Sequence, residues 1–270
     1  MIAQAYCKNT ARAYEKDIEQ FFGKCPEELT AEEIRRITIQ DMVRYVAFIA
    51  PLYSKATVAR KVSALRTFFD MHVEQGTIRE NPARSKLVRV PKPDPFSLTN
   101  GLTKAEARRL LSLPDRSTPQ GRRDHALLLL MLTTALRRSE VSELTPQDVI
   151  LERGYPVIRV RGKGDRKAVV KLPEKTYMAL KQYMEEQPGE KIFNLTPNGI
   201  YFIIKQYAAK LGKDISPHSL RHTSITLALD GGAPIHKVQI MARHSDPKTT
   251  MRYYRNMREL EDAATDYIDL

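Results

Sequence analysis

Cysteine is nearly missing from this 270-residue sequence, which holds two, Cys7 and Cys25. Neither stands in a Cys-x-x-Cys pair or at a cysteine–histidine spacing, which argues against a thiolate zinc site and a disulfide framework. Two plain thiols of a reducing compartment are expected instead. Long apolar runs are also missing. The longest, Ala126 to Leu132, has the length of a buried helix and falls well short of the ~18–20 residues a membrane-spanning helix needs. No charged stretch followed by an apolar run and a small-residue cleavage site opens the chain. The expectation is a cytoplasmic protein with no membrane partner. There is no convincing phosphate-binding P-loop and no cluster of carboxylates at metal-ligand spacing, so no cofactor is expected. Acidic residues are in deficit, 32 against 44 Lys and Arg, for a net charge of +12. Such a surplus favours a polyanion, because each phosphate neutralised releases condensed counterions. Alone it does not separate nucleic acid from a ribosome or a membrane surface.

What is present suits a globular fold, with 42% hydrophobic and 28% charged residues and length for one large domain or two modest ones. Asn81 to Pro95, NPARSKLVRVPKPDP, is rich in proline and basic residues, and Pro91, Pro93 and Pro95 keep the backbone extended. We read residues 81–101 as a linker between a helical domain, 1–80, and a larger domain, 102–270. In the first, apolar residues recur at helical spacing over Thr10–Phe22, Thr38–Ile49 and Ser54–Glu74, with Gly76 as a stop. The last helix carries Lys55, Arg60, Lys61 and Arg66 on its polar side. Nine Lys and Arg from Lys55 to Lys92 face only Asp70, Glu74 and Glu80, so a DNA-facing surface is expected rather than an ordinary solvated face.

The larger domain opens with the capping box Thr103-Lys-Ala-Glu106. Asp124–Leu136 reads as a buried helix, and Val157–Arg161 with Ala168–Leu172 as a hairpin turning through Gly162-Lys163-Gly164-Asp165. Helices are expected over Glu174–Glu186, Asn198–Leu211, Pro217–Leu229, Pro234–Ala242, Thr249–Arg255 and Glu259–Ile268. The fold class is mainly α with a small antiparallel β-sheet.

The chemistry concentrates in a few segments. Ser216 and Pro217 suit a helix start, which puts His218 and Arg221 on one face of the first turns. His218 and His222, four apart, could contribute to a metal site. No carboxylate lies between them, however, and an arginine on the same face repels a divalent cation. A helix N-terminus, a guanidinium fork and a titratable imidazole suit an anion better. Arg137, after the buried helix, reads alone as a charge at a helix end, and Lys163 alone as a hairpin tip. His244, Tyr253 and Tyr254 mean little individually.

Taken in order, these pieces resemble the tyrosine recombinase (phage integrase) family. Thr134-Ala-Leu-Arg137-Arg-Ser-Glu140 is similar to its first arginine box, Lys163 to its hairpin lysine and His218-Ser-Leu-Arg221-His222 to its His-x-Leu-Arg-His box. His244-Ser245 and Thr249-Thr-Met-Arg-Tyr253 match its later histidine and its nucleophile, and Thr57 to Phe69 looks like its core-DNA-binding domain. Two positions depart: Ala135 and Arg243 stand where the family pattern has glycine.

The resemblance implies a two-domain DNA clamp, a helical SAM-like N-terminal domain plus an integrase-type catalytic domain. It implies a site-specific recombinase that breaks and rejoins strands through a 3′-phosphotyrosine on Tyr253. Arg137 and Arg221 would clamp the phosphate, Lys163 protonate the leaving oxygen, His218 accept the tyrosine proton and His244 hydrogen-bond a phosphate oxygen, with Glu140 orienting its neighbours. The implied partners are double-stranded DNA and three further copies in a homotetramer on two paired sites, with Glu259–Ile268 as a docking helix. An accessory DNA-bending protein is left open. The rival readings are a type IB topoisomerase-like relaxing enzyme and a catalytically inactive DNA-binding protein.

Overall fold

The computed structural model describes residues 8–91, 101–161, 167–244 and 246–255, with the backbone alone at 8–9 and 252–255. The chain divides into two compact units between Ser97 and Leu98. Among the described residues no helix is long and apolar enough to cross a membrane.

The N-terminal unit contains α1 (Lys8–Phe22), a short α2 (Ala31–Arg35), α3 (Ile39–Ile49) and α4 (Lys55–Glu74). Threonines fix two of the starts. Thr30 and Thr38 each accept from the backbone N–H three residues on, and Glu33 and Asp41 reach back to the cap, satisfying donors that a helix start leaves orphaned. The core is built on Ile18, Met42, Ile49, Val62, Leu65 and Phe69. Phe21, Phe22, Phe68 and Phe69 meet largely edge-to-face at 4.9–6.4 Å, the geometry ring quadrupoles favour.

Two expectations are modified here. The basic side of α4 is only partly turned inward, since Lys55 and Arg60 stay exposed and Arg66 is half-buried. Lys61 is buried, its ammonium 3.0 Å from the equally buried Asp17 carboxylate and hydrogen-bonded to Gln20. Arg60 pairs with Asp17 as well, and Arg66 donates to the Ala83 carbonyl. Periodicity could not reveal this, because the buried carboxylate that demands the cations lies on another helix. The chain also goes on packing past residue 80. Asn81 donates to the Arg66 carbonyl and the Asp70 carboxylate at 2.8 and 2.7 Å, and Ala83 and Val88 join the core.

The second unit begins with α5 (Lys104–Ser112), started by the expected Thr103–Glu106 capping box. Next comes α6 (Pro119–Thr134), capped by Thr118. It starts five residues before the expected Asp124, because Thr118-Pro119 is itself a start signal. It stops at Thr134 rather than Leu136, because Ala135 turns left-handed. Leu127, Leu128, Leu130 and Met131 are fully buried, each stabilising by roughly 1.5–3 kcal/mol. The helix therefore runs through the unit's core and fixes whatever follows its C-terminus. There α7 (Arg138–Glu143) begins.

The sheet has three antiparallel strands in order: β1 (Val149–Glu152), β2 (Tyr155–Arg161) and β3 (Lys167–Lys171). The expected hairpin is β2–β3, with Arg161 opposite Lys167. β1 was not anticipated; it joins β2 through Arg153 and Gly154, both at positive φ, as a tight hairpin turn requires. Then come α8 (Glu174–Glu186), α9 (Pro197–Leu211), α10 (Pro217–Asp230), α11 (Ile235–Ala242) and α12 (Pro247–Arg255). The mainly helical class with a small antiparallel sheet holds. Lys163 and Glu259–Ile268 lie outside the described residues.

A buried ion pair is costly to halve, because the remaining charge stays desolvated. Asp17→Ala should lower stability by about 3–5 kcal/mol, whereas Asp17→Leu with Lys61→Met should come near neutral. Urea denaturation of the full chain measures both. A single variant as stable as the parent would show that the pair does not hold the unit.

Candidate active site

The site is assembled where three helix ends meet. At the first, α6 ends on Ala135 at φ 53° and ψ 28°, and the chain reverses into Arg137, which is extended and caps α7. Glu140, on the first turn of α7, accepts from the Arg137 backbone N–H at 2.7 Å and from Arg137 Nη1 at 2.8 Å. The carboxylate is buried while the Arg137 side chain is 44% exposed, so Arg137 is anchored from behind and open in front. Burial would raise the Glu140 pKa, but the Arg243 charge and the contacts from Arg137 outweigh it and hold the carboxyl below its ordinary value.

At the second, Ser216 caps α10 and Pro217 takes its first position. His218 stands on the first turn, and Arg221 follows nearly a turn later, only 4% exposed. Its two terminal nitrogens donate to the carbonyls of Ala135 and Ala242, the last residues of two different helix ends. A guanidinium held by two carbonyls has a fixed plane. His222 points elsewhere, to a place where a Cβ on Gly101 would come within 2.8 Å of its Nδ1.

At the third, α11 ends at Ala242, and Arg243 takes the left-handed conformation with φ 54°. The next residue, His244, is tied back by its N–H to the Gln239 carbonyl at 3.2 Å. Its Nδ1 lies 2.9 Å from the hydroxyl of Thr250, a buried residue of α12. Thr250 precedes Tyr253 by three positions on that helix. The Tyr253 backbone is therefore placed, and its side chain lies outside what is described.

Arg137, His218 and Arg221 line one cavity of about 420 Å³, with Arg138, Ser139 and Tyr201. Sequence reasoning did not single out those last three, nor Thr250 or Arg243. Arg138 was visible beside Arg137, and Arg243 was flagged only as a departure. Tyr201 gave no signal, because a helical tyrosine among apolar residues looks like core. It lies 5.8 Å from the Arg138 guanidinium and 5.7 Å from the Lys205 ammonium. Both family glycines that this chain lacks fall on left-handed positions, Ala135 and Arg243. Glycine occupies such positions at least cost, and a side chain there adds strain of about 1–3 kcal/mol.

The imidazoles are held neutral. Burial lowers the His218 pKa, helped by the charges of Arg221 and Arg137. The same causes, with Arg243 added, bring His244 down to about 4. Two guanidiniums facing one cavity, flanked by imidazoles that stay uncharged at neutral pH, form a site that binds an anionic ester and moves protons beside it. The fold and the site thus define an enzyme of phosphodiester chemistry.

Comparison with known proteins agrees. The model of the phage integrase family matches residues 100–259, and that of the phage integrase N-terminal SAM-like domain matches 1–76. Tyrosine recombinase XerD of Listeria innocua is 31% identical over 94% of this chain and 90% of its own length. XerD of Pseudomonas aeruginosa is 33% identical over 91% and 86%. Among solved structures, a lambda integrase dimer (residues 75–356) bound to a core site superposes with a TM-score of 0.75 at 16% identity, covering 96% and 93% of the two chains. XerH bound to its palindromic difH substrate gives 0.73 at 20% identity, covering 96% and 79%. The chain belongs to the phage integrase family of tyrosine recombinases and is a site-specific DNA recombinase. Neither a relaxing topoisomerase nor an inactive DNA-binding protein gains support from these relatives.

The depressed His244 pKa has a thermodynamic consequence. Unfolded, the ring takes up a proton near its ordinary value of 6.5, and folded only near about 4. Stability should therefore fall as pH drops from about 6.5 toward about 4 and level off below. Melting temperatures of the wild type and His244→Gln across that window test it, since the variant should show a shallower slope. NMR titration should place His244 well below the ordinary imidazole value of 6.5, and an ordinary value would refute the enclosed geometry.

Proposed function

We propose that Tyr253 is the nucleophile and that Arg137, Lys163, His218, Arg221 and His244 are the catalytic groups around one DNA phosphate. The observation that carries this reading is the shared cavity of Arg137, His218 and Arg221, together with the His244–Thr250 contact that ties the site to the helix bearing Tyr253. The Tyr253 hydroxyl attacks phosphorus, forming a 3′-phosphotyrosine and breaking the bond to the 5′-oxygen. Neutral His218 takes the phenolic proton, for which its lowered pKa keeps a lone pair available. Negative charge builds on the non-bridging oxygens and is met by Arg137 and by Arg221, whose plane is already fixed. If the Thr250 hydroxyl donates to His244 Nδ1, the opposite nitrogen carries a proton and donates to phosphate. Lys163 protonates the departing 5′-oxygen. The ester conserves bond energy, so a 5′-hydroxyl from another strand reverses the steps and seals the exchanged product.

The substrate is double-stranded DNA, bound by the helical N-terminal domain, which extends past residue 80 to include Ala83 and Val88, and by the catalytic domain 102–270. Four copies act on two paired sites, with Glu259–Ile268 docking between copies and an accessory DNA-bending protein as an optional helper. The DNA substrate supports a cytoplasmic location. Relatives named XerC and XerD and an integrase-like fold both fit this reading.

Denaturing lysis of the expressing host, followed by sequencing of protein-linked DNA, tests the nucleophile. Wild type and Tyr254→Phe should carry a discrete site, and Tyr253→Phe none. Linked DNA in Tyr253→Phe would move the nucleophile to Tyr254. Lys163→Ala should slow cleavage by roughly 10²-fold or more, the scale of a lost general acid. Sulfur in place of the bridging 5′-oxygen should restore most of the rate, since a thiolate leaves without a proton. Equal slowing on both substrates would remove Lys163 from that role.

A further inference from the structure

Arg243 stands where the family pattern has glycine, and its side chain does not point into solvent. It is 11% exposed, and Nη2 donates to Glu140 Oε2 at 2.8 Å and to the Ala135 carbonyl at 3.2 Å. Nη1 donates to the Met241 carbonyl at 2.8 Å. Glu140 is therefore shared. Oε2 accepts from the Arg137 backbone and from Arg243, and Oε1 accepts from the Arg137 side chain. The Ala135 carbonyl is shared as well, between Arg221 and Arg243.

We infer that Arg243 is a positioning residue for Arg137, acting through Glu140; this rests on the reading that Arg137 holds the scissile phosphate. Three physical arguments support it. A bulky residue persists at a left-handed position only when its surroundings over-determine it, and here three guanidinium hydrogen bonds and the bond from the backbone N–H to the Ile240 carbonyl do so. A buried carboxylate facing Arg137 alone would draw that guanidinium back from the phosphate and neutralise it. A second guanidinium on the same carboxylate satisfies Glu140 and leaves the Arg137 charge available to the cavity. Finally, Arg137, Arg221 and Arg243 set three positive charges against the single negative charge of Glu140, so the cluster faces the doubly charged transition state with a net surplus that glycine would reduce. The two departures from the family pattern meet in space, because the side chain of one bonds the carbonyl of the other. The arginine thus locks together the turn that carries His244 and the turn that carries Arg137, a connection glycine cannot make.

The test is single-turnover formation of the covalent protein–DNA complex on the recombination site, measured beside the DNA dissociation constant and the melting temperature. Arg243→Gly relieves backbone strain and should leave melting within a few degrees and DNA affinity within about threefold, yet slow covalent-complex formation by about tenfold or more. Arg243→Lys keeps a charge without the fork and should fall between the two; it also gives a readout if the glycine variant folds poorly. Glu140→Gln combined with Arg243→Gly should be no slower than the slower single variant, as expected for residues acting through one contact. Wild-type cleavage rates in Arg243→Gly, or a rate loss that only follows lost affinity or lost folding, would overturn the proposal. So would multiplied losses in the double variant, which would mean that Arg243 does not act through Glu140. Arg137→Ala cleaving at the wild-type rate would instead bring down the premise about Arg137 itself.

Discussion

The burial of Arg221 is the constraint on which the site depends. A guanidinium removed from water needs partners for its N–H groups, and here the partners are carbonyls at the C-terminal ends of α6 and α11. Helix C-termini carry unpaired carbonyls and partial negative charge, so they are apt seats for a buried cation. Each end closes with a left-handed residue, Ala135 or Arg243. The conformation that stops each helix also presents the carbonyl before or at the stop. Had either helix run one turn further, that carbonyl would be consumed within the helix and Arg221 would have no seat.

From this anchor the other groups fall into place. The reversal at Ala135 puts Arg137 at the mouth of the cavity with Glu140 behind it. The turn after Ala242 delivers His244, whose ring reaches α12 through Thr250. Three segments far apart in sequence are thus tied by hydrogen bonds to a few main-chain atoms, and the rigidity comes from the buried α6 behind them. The charge arrangement follows from the same geometry. Burial first, and then the closely spaced guanidiniums, keep the neighbouring imidazoles uncharged, which suits proton transfer at neutral pH.

The N-terminal unit shows a different use of cations. Asp17 is buried and draws Lys61 inward, with the exposed Arg60 pairing from the surface, so a charge that would otherwise meet solvent or a nucleic acid helps hold the helices together. Net charge alone is therefore a poor map of a binding surface. The overall surplus of basic residues is real, but part of it is structural.

The sequence by itself determined the helical class, most helix boundaries to within two or three residues and the β2–β3 hairpin, because caps, apolar periodicity and a glycine-flanked turn are local signals. It also determined the family, since ordered boxes around Arg137, His218–His222 and Tyr253 are a pattern in one dimension. Tertiary structure alone decided which cations are free. That Lys61 is buried, that Arg221 is seated on two helix ends, and that Tyr201 and Arg138 line the cavity all depend on groups distant along the chain. It also decided the meaning of Ala135 and Arg243. In the sequence they are two unrelated missing glycines. In the fold they are two left-handed helix ends brought into contact, and the arginine side chain at one reaches the carbonyl of the other. Such a contact leaves no trace in local spacing, because it exists only once the helix ends have been packed together.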